Sequence, residues 1–298
     1  MDARGATERL HVTPLERFGD VWLKREDVHE LGAFKWRGAL PTLERYRTDA
    51  VVTASTGNHG AATAWAAERL GMRAIVYVPR DVSAVKTALI ERFGAELRPA
   101  GADLDEAKDE ARAAAERDDL PFFEDGAEAA QYEGYGAIAD EVTEQLGRPP
   151  AAVVVPVGNG ALLGGIGTRL GAATFRVGVV AKDAPVMADS WDAGRPVAGR
   201  RCTTFAEGLA VRIAIPLAVE VLRDAADTMV RVSERAIAEA IGALARGGIR
   251  VEGAAAAGLA ALRHVGPVDG PVVLVVTGRN IDDALWRRAV DRPESFSD

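Results

Sequence analysis

The chain of 298 residues has a single cysteine, Cys202, which excludes an internal disulfide and leaves an ordinary buried or half-buried thiol. It lacks any run of eighteen apolar residues and does not open on an apolar stretch, which excludes a membrane-crossing helix and leads us to expect a cytoplasmic protein. Basic residues are in the minority, 36 against 44 acidic, and the net charge of -8 argues against nucleic acid as a partner. Internal repeats and low-complexity linkers are missing as well.

What is present is an alternation of strand-like and helix-like segments, the α/β signature. Strands are expected at Val51–Thr53, Ala74–Val78, Ala95–Arg98, Ala151–Val157, Arg176–Ala181, Thr228–Val232 and Pro271–Val276. Apolar spacing and caps place helices at Gly60–Leu70, Ser83–Phe93, Asp103–Arg117, Tyr135–Leu146, Ile213–Ala225, Ser233–Arg246 and Ala254–His264. The length is enough for two lobes with separate cores.

Four segments carry chemistry. In Gly32-Ala33-Phe34-Lys35-Trp36-Arg37-Gly38, one lysine stands behind an aromatic ring and among small residues, as an amine that forms a Schiff base with an aldehyde cofactor requires. By itself this run also reads as a cationic helix start, with Lys24 and Arg37 close in sequence. In Ser55-Thr56-Gly57-Asn58-His59-Gly60, after Val51-Val52, a polar turn opens an alanine-rich helix; its unpaired amides and side chains suit an anion such as a substrate carboxylate. A plain N-cap needs only Ser55 or Thr56. The strand Val153–Val157 runs into Gly158-Asn159-Gly160-Ala161-Leu162, a turn whose successive amides suit a phosphate. The fourth, Val272–Val276, delivers the hydroxyl of Thr277 at the carboxyl end of a strand, where α/β sheets bind ligands.

In this order, the four segments resemble the pyridoxal-phosphate enzymes of the tryptophan-synthase-β fold, and among them the threonine/serine dehydratase and serine racemase family. Further motifs in register are Leu23-Lys24-Arg25-Glu26-Asp27, Thr204-Phe205-Ala206-Glu207-Gly208 and Glu252. The resemblance implies a two-lobed α/β architecture of open, twisted, mostly parallel sheets flanked by helices, with the cofactor between the lobes. It implies a large cofactor-binding unit at 1–47 and 128–298 and a small substrate-binding unit inserted at 48–127. The length leaves no room for the regulatory domain that some biosynthetic relatives carry.

The resemblance also implies roles. Lys35 anchors pyridoxal 5'-phosphate and serves as the base at the substrate Cα; Phe34 borders the ring; Asn58 faces its 3' oxygen; Gly158, Asn159, Gly160, Ala161 and Leu162 hold the phosphate; Thr277 faces the pyridine nitrogen, with Glu252 close by. Ser55, Thr56, Gly57, Asn58 and His59 hold the substrate, His59 as a structural hydrogen-bonding residue. Glu207 implies a divalent cation or potassium. A neutral hydroxyl opposite the ring nitrogen weakens the electron sink relative to an aspartate, which favours quick loss of a leaving group from Cβ. The implied activity is dehydration and deamination of a small L-hydroxy amino acid, such as serine or threonine, to a 2-oxo acid and ammonia, in a homodimer.

Departures from the family pattern keep alternatives open. Thr56 stands where racemases carry a serine, which leaves a racemase or β-replacement enzyme on the same cofactor as an alternative. Tyr135 replaces a common glutamine and Arg279 a common glycine, both expected beside the pocket, where either selects an acidic or aromatic side chain. The turn at Gly158 with Asp183 after the next strand also admits a nicotinamide-dependent oxidoreductase.

Overall fold

The computed structural model describes residues 12–199 and 202–298. In chain order its elements begin with β1 (Leu15–Phe18), β2 (Val21–Arg25), α1 (Trp36–Tyr46), β3 (Ala50–Ala54), α2 (Asn58–Leu70), β4 (Arg73–Val78), α3 (Ala84–Arg92), β5 (Glu96–Pro99) and α4 (Leu104–Arg117). There follow α5 (Ala129–Leu146), β6 (Ala152–Pro156), α6 (Ala161–Leu170), β7 (Phe175–Ala181), α7 (Val186–Ala193), α8 (Pro216–Ala225), β8 (Thr228–Val232), α9 (Glu234–Arg246), α10 (Gly253–Ala261), β9 (Val272–Val276) and α11 (Asp283–Asp291). Residues 1–11 of the expected large unit lie outside the described residues.

Two sheets organise these elements. The larger runs β1-β2-β9-β6-β7-β8, parallel except for the β1–β2 hairpin. The smaller is the parallel sheet β3-β4-β5, and Phe122 adds a parallel bridge to Val52 at its β3 edge. Near-continuous apolar strands such as β6 and β9 are what burial on both faces demands, and Val153, Val154, Val155, Val273, Leu274 and Val275 are all buried.

On the small sheet, α4 covers one face with Ala107, Ala111, Ala114 and Ala115, a helical stripe packed on Val52, Ala54, Ile75 and Tyr77. The other face receives α1 and α2, through Trp36, Ala39, Leu43, Ala61, Ala62 and Trp65 against Val51, Val76 and Val78. The helix α1 thus joins the core of the small sheet by packing on α2, although it precedes that sheet in sequence. It also leans on α5 so closely that a Cβ on Gly134 would lie 1.9 Å from the Arg37 carbonyl oxygen.

Expected and observed elements coincide to within a few residues, except that α5 starts six residues before Tyr135. The expected strands and helices leave out β1, β2, α1, α7 and α11. The first is a four-residue edge strand with half-exposed sides and no apolar alternation. The helix α1 has Pro41 inside it and no side-chain cap at its start, so neither usual boundary signal marks it.

A buried charge network explains Lys24 and Arg37, which the sequence suggested as like-charged neighbours of Lys35. Arg37 donates to Glu26 (Nε–Oε2, 2.7 Å) and to Glu141 (Nη1–Oε1, 2.6 Å), and Lys24 Nζ lies 2.5 Å from Glu141 Oε2. Two cations meet two carboxylates, with Thr13 donating its hydroxyl to Glu26. The cluster ties β2, α1 and α5 together directly beneath the segment that carries Lys35.

Candidate active site

The site assembles at the carboxyl ends of β2, β9 and β6, adjacent strands of the large sheet, the end at which parallel sheets present ligands. Backbone pairing fixes the Lys35 segment there. The Phe34 amide donates to the Thr277 carbonyl at 3.0 Å, the Arg279 amide to Gly32 at 2.9 Å, and the Glu252 amide to Gly278 at 3.1 Å. Gly32 takes φ +66° where a Cβ would lie 2.5 Å from Asn280 Oδ1, so only glycine fits this crossing.

Lys35 immediately precedes α1, and its side chain is largely covered, 14 % exposed. Its ammonium sits 5.0 Å from the centre of the Phe34 ring and 2.5 Å from Asp125 Oδ2. Asp125 was absent from the sequence reading, because Pro121-Phe122-Phe123-Glu124-Asp125-Gly126 carries no recognisable motif. Pairing with the β3 edge brings it in, through Val52 amide to Pro121 carbonyl at 3.0 Å and Phe123 amide to Val52 carbonyl at 2.8 Å. Burial opposes its ionisation. The charge of Lys35, with hydrogen bonds from Lys35 and Asn159, outweighs that and holds the carboxyl well below the usual carboxylate range.

The polar turn from 55 to 59 joins the site through Asn58, which contacts Glu252 and Asn280. Ser55 Oγ accepts from the Gly57 amide at 3.2 Å, Gly57 caps α2, and no side chain caps the first amides of that helix. Those amides remain available to an anion. Thr56 and Asn58 are half-buried beside them. The Asn58 amide nitrogen donates to Glu252 at 3.1 Å, and Asn280 donates to Asn58 Oδ1 at 2.8 Å. His59 is buried; its Nε2 faces Thr53 Oγ1 at 3.1 Å and the Phe123 carbonyl at 3.3 Å. Thr53 spends its own proton on that carbonyl, so Nε2 carries the imidazole proton. Burial, against the pull of Asp125, lowers the His59 pKa and keeps the ring neutral.

The glycine turn closes the far side. A Cβ on Gly158 would lie 2.3 Å from the Gly208 carbonyl oxygen, and Gly160 adopts φ +96° at the start of α6. Asn159 was expected to reach toward phosphate. Its Oδ1 instead accepts from the Ala161 amide at 3.1 Å, and its amide hydrogen bonds to Asp125. Ala161 and Leu162, in the first turn of α6, are buried.

Glu252 is buried, and that burial pushes its pKa up to about 7; Asn58 opposes the rise, Glu207 adds to it and Lys35 counters it. Thr277 is 3 % exposed at the end of β9, and its Oγ1 has no hydrogen-bond partner. A buried hydroxyl left unpaired is costly unless a ligand satisfies it.

Two expectations are corrected. Tyr135 does not line the cleft: it is fully buried, packed against Phe34 at 5.1 Å between ring centres, and its ring occupies the space that a Cβ on Gly38 would take. A glycine on α1 makes room for a large ring on α5, so the aromatic serves helix packing. The Arg279 guanidinium is engaged instead by the backbone carbonyls of Asp27 and His29. For the cation expected at Glu207, the described residues bring no three His, Cys, Asp or Glu side chains together around a metal position, and Glu207 is exposed on a short 3-10 turn.

A covered lysine, a turn of free amides and an unpaired hydroxyl, converging at the ends of parallel strands, define an enzyme built around an aldehyde cofactor that carries a phosphate. Residues 2–278 match the family described as pyridoxal-phosphate dependent enzyme, and the chain belongs to that family. It is 35 % identical to an L-threonine ammonia-lyase of Geobacter sulfurreducens, over 96 % of this chain and 74 % of that protein. Among solved structures, the processed form of threonine deaminase isoform 2 from Solanum lycopersicum superposes with TM-score 0.89 at 26 % identity, over 94 % of this chain and 83 % of the other. A fungal L-serine ammonia-lyase from Rhizomucor miehei does so with TM-score 0.84 at 25 % identity, over 95 % and 98 %. The α/β architecture of mostly parallel sheets is shared with these structures, and the family removes the nicotinamide reading of the Gly158 turn. The residues present fit pyridoxal phosphate: the Thr277 hydroxyl is orphaned, and at Gly158 a side chain would close the turn.

Proposed function

We propose that this protein deaminates a small L-hydroxy amino acid, serine or threonine, by β-elimination, releasing a 2-oxo acid and ammonia. The observation that carries the reading is the orphaned Thr277 hydroxyl, held in register with Lys35 by the Phe34–Thr277 backbone bond. Pyridoxal phosphate, when bound, takes up the electron pair left at Cα. A neutral hydroxyl at the ring nitrogen leaves that sink moderate, which favours expulsion from Cβ over transamination.

The chain's own residues supply the rest. Lys35 anchors the aldehyde and, once released, takes the α proton. The uncapped amides of α2, with Ser55, Thr56, Gly57 and Asn58, would hold the carboxylate, with His59 positioning that turn; Gly158, Asn159, Gly160, Ala161 and Leu162 would frame the phosphate; Phe34, Asn58 and Glu252 would border the ring. The Cβ–O bond breaks with its electron pair on oxygen, the departing hydroxide takes up a proton equivalent to the one removed from Cα and leaves as water, and one water then adds to release ammonia and the 2-oxo acid. The two sheets support a small unit at 48–127 inserted into a larger one. The described residues include no helix long and apolar enough to cross a membrane, and the same reading takes the protein as a cytoplasmic homodimer.

The test is direct. Purified protein is expected to show visible absorbance from lysine-bound cofactor, which Lys35→Ala abolishes, and to release ammonia and a 2-oxo acid from L-serine or L-threonine. Retention of the band in Lys35→Ala, or D-amino acid as the product instead of ammonia, overturns it.

A further inference from the structure

Asp125 places a fixed negative charge on the nitrogen that performs the chemistry. Its carboxylate is 2.5 Å from Lys35 Nζ, and two side-chain amides hold it in place: Gln131 Nε2 lies 3.3 Å from Oδ1, and Asn159 hydrogen-bonds to it. Its second neighbour with a charge to offer, His59, is neutral and spends its proton on the Phe123 carbonyl. The other acids that bear on the cleft add to the negative side, Glu252 directly and Glu207 through its effect on Glu252. Nearby cations are committed elsewhere. Arg279 is held by two backbone carbonyls, and Lys108 and Arg112 pair with Glu124 at 2.8 Å.

A lysine that takes the α proton must approach Cα to about 3.5 Å. Lys35 acts as a base only without its proton, so the Asp125 carboxylate beside it is then uncompensated, and a substituent on Cβ falls within reach of its charge. Two like unit charges about 6 Å apart, in a partly covered site, correspond to roughly a 100-fold loss of affinity, and opposite charges to a comparable gain.

We propose that Asp125 determines the substrate class of this site: it rejects amino acids with an anionic group at Cβ and admits those whose β-substituent is neutral or cationic. The inference rests on the β-elimination reading above and narrows it. Serine and threonine pass, 3-hydroxyaspartate is refused, and a β-ammonium as in 2,3-diaminopropionate is drawn in.

The experiment compares kcat/KM of the holoenzyme for L-serine, L-threonine, L-3-hydroxyaspartate and L-2,3-diaminopropionate, in the native protein and in Asp125→Asn and Asp125→Glu. Loss of the Lys35 contact affects every substrate of a variant alike, so it cancels in ratios between substrates. The native protein is expected to prefer serine or threonine over 3-hydroxyaspartate by about 100-fold. Asp125→Asn should raise the 3-hydroxyaspartate to serine ratio and lower the diaminopropionate to serine ratio, each at least tenfold, while Asp125→Glu keeps both ratios near native. Spectral titration with L-aspartate and L-alanine, which lack a leaving group, should show the same charge preference in binding alone. Native protein that takes serine and 3-hydroxyaspartate equally, or an Asp125→Asn variant with unchanged ratios, overturns the inference and leaves the deamination reading standing. If Asp125→Asn does not fold, the native ratio and the binding titration decide. Failure of the native protein to deaminate any of the four overturns the deamination reading itself.

Discussion

Asn58 donates its side-chain amide to both oxygens of Glu252, at 3.1 and 3.3 Å, and so joins the first turn of α2 to the cap position of α10 across the cleft. The bond links the two sheets through a carboxyl group whose charge is sensitive near neutrality.

Glu252 in the folded chain has its pKa raised from 4.5 to about 7. The folded state therefore binds a proton that the unfolded state has released, so stability is greatest below pH 4.5 for this group and is lost as pH rises through 7. The shift corresponds to about 3 kcal/mol. Urea denaturation of the cofactor-free protein at pH 5 and pH 8 should show Glu252→Gln losing about 3 kcal/mol less than the native chain over that interval. Equal losses in both would remove the assignment.

Thr277 yields opposite outcomes with and without cofactor. Thr277→Val keeps the shape and removes an unpaired buried hydroxyl, so the cofactor-free protein should gain up to about 1 kcal/mol in denaturant unfolding. The cofactor affinity, read by titrating visible absorbance, should fall about tenfold because the ring loses its partner. A variant weakened in both measurements would speak for an ordinary packing role.

Gly134 and Gly136 sit in the same helix with opposite tolerance. A Cβ at Gly134 would strike the Arg37 carbonyl at 1.9 Å, a backbone atom that cannot turn aside. Gly134→Ala should cost about 2–4 kcal/mol and loosen cofactor binding by displacing α1. At Gly136 the nearest atom would be 3.4 Å away, so the helix propensity of alanine dominates and Gly136→Ala should be neutral or up to about 1 kcal/mol more stable. Thermal unfolding of the two variants side by side checks the contrast.

Glu141 balances Arg37 and Lys24 in the buried network. Glu141→Gln leaves a surplus positive charge in a covered site and should cost about 3–5 kcal/mol. Replacing Arg37 at the same time by methionine should recover part of that loss, because the uncompensated charge is smaller. A double variant no better than Glu141→Gln in denaturation would show that the network acts by packing alone.

The α/β class, most strands and helices, the lysine, the polar turn and the glycine turn were legible because each is local. A buried strand followed by a turn of small and polar residues writes its chemistry in consecutive positions. The roles suggested for Tyr135 and Arg279 failed for a related reason: nearness to a motif in sequence says which segment a residue belongs to, not which way its side chain leaves the backbone. Tyr135 turns toward Gly38, and Arg279 folds back on Asp27 and His29.

By itself the sequence determined the order of elements and the kinds of groups available at the ends of the strands, since periodicity, caps and glycines act within a few residues. Only the tertiary structure decided that Asp125 meets Lys35 over 90 residues of chain, that Asn58 meets Glu252 over 194, and that Lys24 and Arg37 are neutralised rather than poised beside the reactive amine. Such pairings are set by how two sheets and the helix α1 between them close on one another, and no local pattern of residues encodes a distance across that closure.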